Sequence, residues 1–343
     1  MNITLNDQEQ KITGSENIKY HNNSPDKLEY LWIQLDQNRF SENSASHLTR
    51  TFKGKDKVYY GKLNSAEYIR EIKQRVKLHQ VSDAKDQPLN YTVVGTMMRV
   101  DLPTSLAPQS STQLKIRWTS QVLMHRNVWA RSGYEDLKPL TELDKKRQEQ
   151  ISKLTESPGS KLPLGGTSDH QVVGPPLEAS SSASDVQRRI YEVAQWYPRL
   201  AAYTDVTGWQ NKQFLGRGEF TLPFGDYKVS ITVPSDHIVA ATGELQNPTA
   251  VLSKNQIKRW EKAKKNFVEP VIIVSENEAI ENEKEKSVSS KTWVFEAENV
   301  RDFGWASSRK FIWDAMAVDV SGKTVMAYSY YPKEGNPLWE QYS

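Results

Sequence analysis

From Leu154 to Val186 the chain runs for 33 residues with 4 Gly, 4 Pro and 7 Ser and without a single Phe, Tyr or Trp. Such a stretch cannot bury enough apolar surface to offset an ordering cost of ~1–2 kcal/mol per residue, so a disordered insert is expected there. Whatever the chain folds into must therefore be assembled from the segments on either side. Those segments carry 10 Trp and 15 Tyr, residues that suit strands and also carbohydrate or peptide surfaces. The balance of 45 Lys+Arg against 42 Asp+Glu gives no global pull toward nucleic acid or an anionic membrane. No run of ~18 apolar residues is present, so no spanning helix is expected. Zero Cys excludes disulfides, thiolate zinc sites, iron–sulfur clusters and cysteine nucleophiles, and leaves the compartment open.

Before the insert, residues 1–142 read mainly as strands. Ile18 to His21 and Leu28 to Leu35 flank the turn-rich Asn22-Asn-Ser-Pro-Asp26, which predicts a hairpin. Leu89 to Leu102 reads as a second pair around Gly95, and Leu114 to Trp118 alternates at period two. Residues 64–79 are ambiguous: Ile69, Ile72, Val76 and His79 fit a helical face, whereas the flanking strands favour sheet. Leu143 to Leu154 is expected to be a short charged helix. After the insert, Glu219 to Val233 reads as two strands around Pro-Phe-Gly-Asp, and His237 to Thr242, Lys291 to Val300 and Lys323 to Tyr331 as further strands. Lys254 to Lys265 holds six basic residues and one acid, and Glu276 to Glu285 five acids and one Lys. Opposite blocks of this kind predict a charged helical excursion that pairs with itself rather than a nucleic-acid patch.

Several short matches to known chemistry lack their context. Asp302-Phe-Gly304 has no kinase catalytic loop, Ser307-Ser-Arg-Lys310 has no companion Ser-Asp-Asn or Lys-Thr-Gly, and Gly216-Arg-Gly218 precedes a strand rather than a phosphate-binding helix. Sequons at Asn2, Asn22 and Asn90 occur at chance frequency. The histidines, His21, His47, His79, His125, His170 and His237, are too scattered for a metal-binding pair. A Ser-His-Asp triad stays open, but no strand–turn–helix nucleophile elbow is present. No catalytic centre is legible.

One set of segments is more specific. Tyr191-Glu-Val-Ala-Gln-Trp-Tyr-Pro-Arg-Leu200, Gly208 to Phe220, Phe224 to Leu245, Glu298 to Phe303 and Ala306 to Phe311 resemble the N-terminal domain of bacterial aminopeptidase N-like (gluzincin) zinc metallopeptidases. Asn22 to Asp26, Asn38-Arg-Phe40 and Arg131 to Glu135 match in the same order. The resemblance implies a mainly β fold, a saddle-shaped antiparallel β-sandwich packed against an α-helical catalytic domain. That domain would carry His-Glu-x-x-His, a downstream Glu ligand and Gly-x-Met-Glu-Asn; none is present, and Gly95-Thr-Met-Met-Arg99 lacks the Glu-Asn. No metal site and no cofactor are expected in this chain, whereas the parent would use zinc to polarise the scissile carbonyl and activate water. In the family the N-terminal domain contributes one Glu or Gln to the cluster that holds the substrate's α-ammonium, and the positional match is Gln195, whose amide oxygen can accept from an ammonium. The alternative is that Gln195 is an ordinary polar residue beside a core Trp. Arg199 and Asp205 are expected to form a structural pair.

The expected organisation is 1–142 as the first part of the sandwich, 143–186 as charged helix and insert, 187–327 as the second part, and 328–343 as the start of the catalytic domain. The first 20 residues lack a signal-peptide pattern, although the resemblance implies a periplasmic or secreted parent, so a truncated chain or split reading frame is expected. Two functions remain: the substrate-capping β-domain of a zinc aminopeptidase, inactive as this fragment, with the catalytic domain and peptide substrate as partners; or a stand-alone Trp-rich β-sandwich that binds peptide or glycan without chemistry. Neither involves nucleic acid or a membrane span.

Overall fold

The computed structural model describes residues 1–49, 76–128, 131–137, 188–216, 221–284, 287–336 and 339. The expected charged helix 143–154, the insert 154–186 and the ambiguous residues 64–75 lie outside these. The fold is mainly β, built from mostly antiparallel sheets, with Asn2–Asn6 and Gly225–Pro234 pairing parallel inside the largest. Two compact units form, one from within Met1–Glu135, Ile190–Leu252 and Ser287–Ser308, the other from within Asp136–Arg189, Ser253–Lys286 and Arg309–Ser343.

The first unit centres on a seven-stranded sheet. Its order is Glu244–Leu245, Ser290–Val300, Gly225–Pro234, Asn2–Asn6, Lys11–His21, Ser111–Gln121 and Val76–Asp83. Period-two side chains put Ile3, Leu5, Ile12, Leu114, Ile116, Trp118, Val229, Ile231, Trp293 and Phe295 on the buried face. Gly14 is required by this face: a Cβ there would lie 2.4 Å from Cζ2 of Trp118, so only glycine leaves room for the indole. A second sheet orders Arg199–Leu200, Leu28–Gln34, Met97–Leu106 and Tyr91–Val94, and a third orders Ile238–Ala241, Trp305–Ser308, Arg189–Val193 and Gly133–Asp136. Ring contacts of Trp196 with Trp118 at 6.2 Å and with Trp305 at 6.3 Å tie the inner face of the large sheet to the third sheet.

Two expectations need correction. Lys11–His21 and Leu28–Gln34 are not a hairpin: the former pairs with Asn2–Asn6 and Ser111–Gln121, the latter with Met97–Leu106. Between them the fully buried Asn22 amide donates to the carbonyls of Asp26 (2.8 Å) and Ala107 (3.2 Å), fixing a corner that carries the chain from one sheet to another. Of the two strands expected in 219–233, Gly225–Pro234 forms, whereas the described residues 221–224 are irregular, with Phe224 exposed. Trp305–Ser308 and Phe311–Val320 are two further strands, beyond those expected from the sequence. Phe311 to Ala315 are all buried, so the strand shows no apolar–polar alternation to read.

The second unit pairs Val271–Val274, Phe311–Val320 and Lys323–Pro332 in a three-stranded sheet. The charged excursion folds as expected into helices Lys254–Ala263 and Glu276–Lys284. Ser253 and Gln256 form a reciprocal capping box at the start of the first, whose buried Trp260 and Ala263 face the core. The helices meet where the Arg259 guanidinium donates to both Glu278 oxygens at 2.6 and 2.7 Å. Lys310, almost fully buried, is neutralised by Glu283 at 2.9 Å and Glu334 at 2.6 Å. Among the described residues no helix is long and apolar enough to cross a membrane.

Candidate functional site

Gln195 lies where the chain leaves the third sheet at Val193 and enters the second at Arg199. Two buried rings determine this crossing. Trp196 Nε1 donates to the Phe303 carbonyl at 2.9 Å, and Tyr197 packs against Trp196 with ring centroids 4.8 Å apart. With both rings turned inward, the bend falls on Gln195, whose φ is 54°. That left-handed conformation is costly for a residue with a Cβ. It is held from outside: Gln37 Nε2 donates to the Gln195 carbonyl at 2.9 Å. The Gln195 side chain is half-buried, and its amide has no hydrogen-bond partner among the described residues.

The bend rests on a buried ionic framework. The Arg199 guanidinium donates to Asp36 Oδ2 from Nε at 3.1 Å and from Nη2 at 2.7 Å, and from Nη1 to Asp302. Asp302 also accepts from the Tyr197 hydroxyl at 2.9 Å, which in turn lies 3.2 Å from the Tyr227 hydroxyl. Burial pushes the Asp36 carboxyl up, against the opposing pull of Arg199. Burial alone would lower Arg199, but Asp36 and Asp302 hold it net above its ordinary value. Burial and the neighbouring Asp302 carboxylate push the Tyr197 hydroxyl far up, so it stays a neutral donor. The framework can hold a charge in place.

The segments that carry the resemblance converge here. Asn38 Nδ2 donates to the Gly95 carbonyl at 3.0 Å, and Gln213 Oε1 accepts from Thr96 N at 2.8 Å. The Arg39 guanidinium lies over Phe40 and Phe214, 4.5 and 5.3 Å from the ring centroids. Gly216 closes over that cation: a Cβ there would sit 2.4 Å from Arg39 Cζ. Arg199 does not pair with Asp205 as expected; Asp205 is exposed, and Asp36 and Asp302 take its place. Asp36 and Gln37 carry no sequence signal, since they meet their partners across more than 150 residues.

A Ser-His-Asp grouping does exist, away from any nucleophile elbow. Ser307 Oγ and His237 Nδ1 are 2.7 Å apart, His237 Nε2 lies 3.8 Å from Asp7, and the Tyr191 hydroxyl donates to Asp7 at 2.8 Å. All four residues are buried, with Ser307 inside a strand, so the network orders the core and meets no substrate. A groove of about 440 Å3 opens on the solvent face of the large sheet over Thr4, Thr13, Thr232 and Thr292, where Thr232 and Thr292 already bond each other at 2.8 Å. Among the described residues no group of three or more His, Asp or Glu side chains could hold a metal, so they do not fit a zinc ion. Trp118, Trp196, Trp260, Trp293, Trp305 and Trp313 are core residues rather than a binding platform.

No family model and no curated protein matches the sequence. Among solved structures the chain is similar to an M1 zinc metallopeptidase from Deinococcus radiodurans, with a TM-score of 0.43 and 10% identity over 97% of this chain and 46% of that chain. A two-domain M1 zinc metallopeptidase variant bound to L-arginine gives 0.43 and 9%, over the same shares. A variant from Deinococcus radiodurans bound to a Tyr-Ser-Ala substrate gives 0.42 and 10%, also over 97% and 46%. The chain spans about half the length of each.

Proposed function

We propose that this chain is the N-terminal β-domain of a zinc aminopeptidase and that it caps the substrate end of an active site whose zinc and catalytic residues lie in a separate helical domain. The observation that carries this reading is Gln195: a non-glycine residue kept in a left-handed bend, clamped through its carbonyl by Gln37, with its amide left without a partner among the described residues. A residue held in strain with an open acceptor is what a fixed contact to a free α-ammonium requires. The framework beneath it, Asp36 and Asp302 around Arg199, carries one net negative charge, the sign that favours a cation. The convergence of Asn38-Arg-Phe40, Gln213 to Gly216 and Glu298 to Phe303 with the Gln195 segment supports it further. Hydrolysis is assigned to the partner domain, and the chain alone is inactive.

The test is an aminoacyl-anilide assay of the chain alone with zinc, and of the chain mixed with a helical domain bearing His-Glu-x-x-His. No turnover is expected alone and turnover is expected in the mixture, with Gln195→Ala lowering kcat/KM by about tenfold or more while assembly persists. Zinc-dependent turnover by the chain alone, or an unchanged kcat/KM for Gln195→Ala, overturns the reading.

A further inference from the structure

The basic block from Lys254 to Lys265 is only partly neutralised by the acidic one. Among the described residues Arg259 alone reaches across to helix Glu276–Lys284, through Glu278. Lys264 turns back onto its own segment, 2.9 Å from Glu261 and 3.5 Å from the centroid of the Trp260 ring. Lys254, Lys258, Lys262 and Lys265 are exposed and make no ion pair or hydrogen bond among the described residues. Their spacing stacks them on one face of the helix, in a row about 16 Å long at ~1.5 Å per residue. The buried Trp260 and Ala263 occupy the opposite side of the same turns, so the row points to solvent.

The row ends at an apolar tip. Phe267 and Val268, adjacent in sequence, are 51% and 89% exposed. The turn that presents them is fixed by its backbone. The Asn266 carbonyl accepts from Ala317 N at 2.9 Å, which ties the turn to strand Phe311–Val320. Asn266 Oδ1 accepts from Val268 N at 3.1 Å and from Glu269 N at 3.4 Å, an Asx turn that sets the direction of the chain through the tip. Glu261, engaged by Lys264, and Glu269, past the tip, are the only acids between residues 254 and 275. Two neighbouring apolar side chains kept in water by an ordered turn, beside a row of unpaired cations, match a partner that is both anionic and apolar.

We propose that this face docks the protein peripherally on an anionic phospholipid surface, with the lysine row over the headgroups and Phe267 and Val268 inserted between them. Two features favour lipid over another polyanion. The row is built of lysines, while the guanidinium of Arg259 is held by Glu278. Lysine is a flexible point charge that suits a fluid layer of headgroups, whereas fixed phosphate geometry favours the bidentate guanidinium. An exposed Phe-Val pair gains nothing from a phosphodiester backbone but is stabilised on transfer to the acyl boundary. The charge balance of the whole chain, 45 against 42, supplies no such attraction; it arises because the fold segregates cations onto one helix face. Each lysine near an anionic leaflet strengthens partitioning about fivefold, an effect that fades beyond a Debye length of ~10 Å. This inference does not draw on the reading of Gln195.

Co-sedimentation of the full chain with vesicles of phosphatidylglycerol and phosphatidylcholine is expected to show binding at about 0.05 M salt that is largely lost at about 0.5 M, and little binding to phosphatidylcholine alone. Lys258→Gln combined with Lys262→Gln should weaken partitioning about 25-fold. Gln is close to Lys in helix propensity, so the far-UV spectrum and thermal midpoint should not change. Phe267→Ser combined with Val268→Ser, outside any helix, should weaken partitioning by about tenfold or more while keeping the salt dependence. Absence of binding to the anionic vesicles, equal binding to neutral ones, or either double variant binding as the unaltered chain does overturns the proposal. So does displacement from the vesicles by a DNA duplex at equal phosphate concentration.

Discussion

Arg199→Leu is expected to be among the most destabilising single substitutions in the first unit. The Asp36 side chain is 2% exposed and that of Arg199 is 8% exposed, so the variant leaves a carboxylate buried without its cation. Breaking a buried pair from one side costs about 3–5 kcal/mol, because the remaining charge keeps its desolvation penalty. Asp302, 36% exposed, stays partly solvated and adds little. The cost depends on pH with a definite sign. Burial already raises Asp36 above its ordinary value in the presence of Arg199, and removing the cation raises it further. A group whose folded pKa is raised contributes stability below its unfolded value and loses it as pH rises, so the deficit of the variant should be greatest at neutral pH and shrink toward pH ~4. Arg199→Leu combined with Asp36→Leu removes both charges and should recover most of the loss. Urea unfolding followed by Trp fluorescence at pH 7 and in mild acid measures all three proteins. A single-variant cost below about 1 kcal/mol, or a double variant no more stable than the single, refutes the argument.

Three further outcomes follow from the same physics. Glu16 is buried, with its carboxyl pushed well above its ordinary value by desolvation despite the nearby Met1 ammonium; Glu16→Gln should therefore stabilise the protein at neutral pH by about 1–3 kcal/mol and lose that advantage below pH ~4.5, read from urea midpoints against pH. Gly14→Ala drives a Cβ into the Trp118 indole and should cost about 1–3 kcal/mol, with a change in near-UV circular dichroism from the displaced ring; an unchanged spectrum and midpoint would show that the indole can move aside. Gln195→Gly should raise stability by about 1 kcal/mol by relieving the left-handed strain, whereas Gln195→Ala should not; equal midpoints for the two would show that the bend is unstrained.

The sequence by itself determined the local elements whose residues act on near neighbours. Leu114, Ile116 and Trp118 declare a half-buried strand by alternation, and all three are buried in Ser111–Gln121. The capped helix Lys254–Ala263 and the acidic helix Glu276–Lys284 follow from opposite charge blocks that meet each other, as Arg259 and Glu278 do. What the tertiary structure alone decided is which surfaces meet. Ile18 to His21 and Leu28 to Leu35 have the composition of a hairpin. The buried Asn22 nevertheless takes its partners from Ala107 and Leu106, 85 and 84 residues away, and the two strands enter different sheets. Phe311–Val320 hid its identity because both faces are covered along Phe311 to Ala315, which erases the alternation that marks a strand. The framework under Gln195 was the least legible part. Arg199 reaches Asp36 across 163 residues and Asp302 across 103, and a lone Asp or Arg in a sequence has no property that names its partner. A buried charge is fixed by what the fold brings within hydrogen-bonding distance of it, and that is a property of the packed chain rather than of any segment.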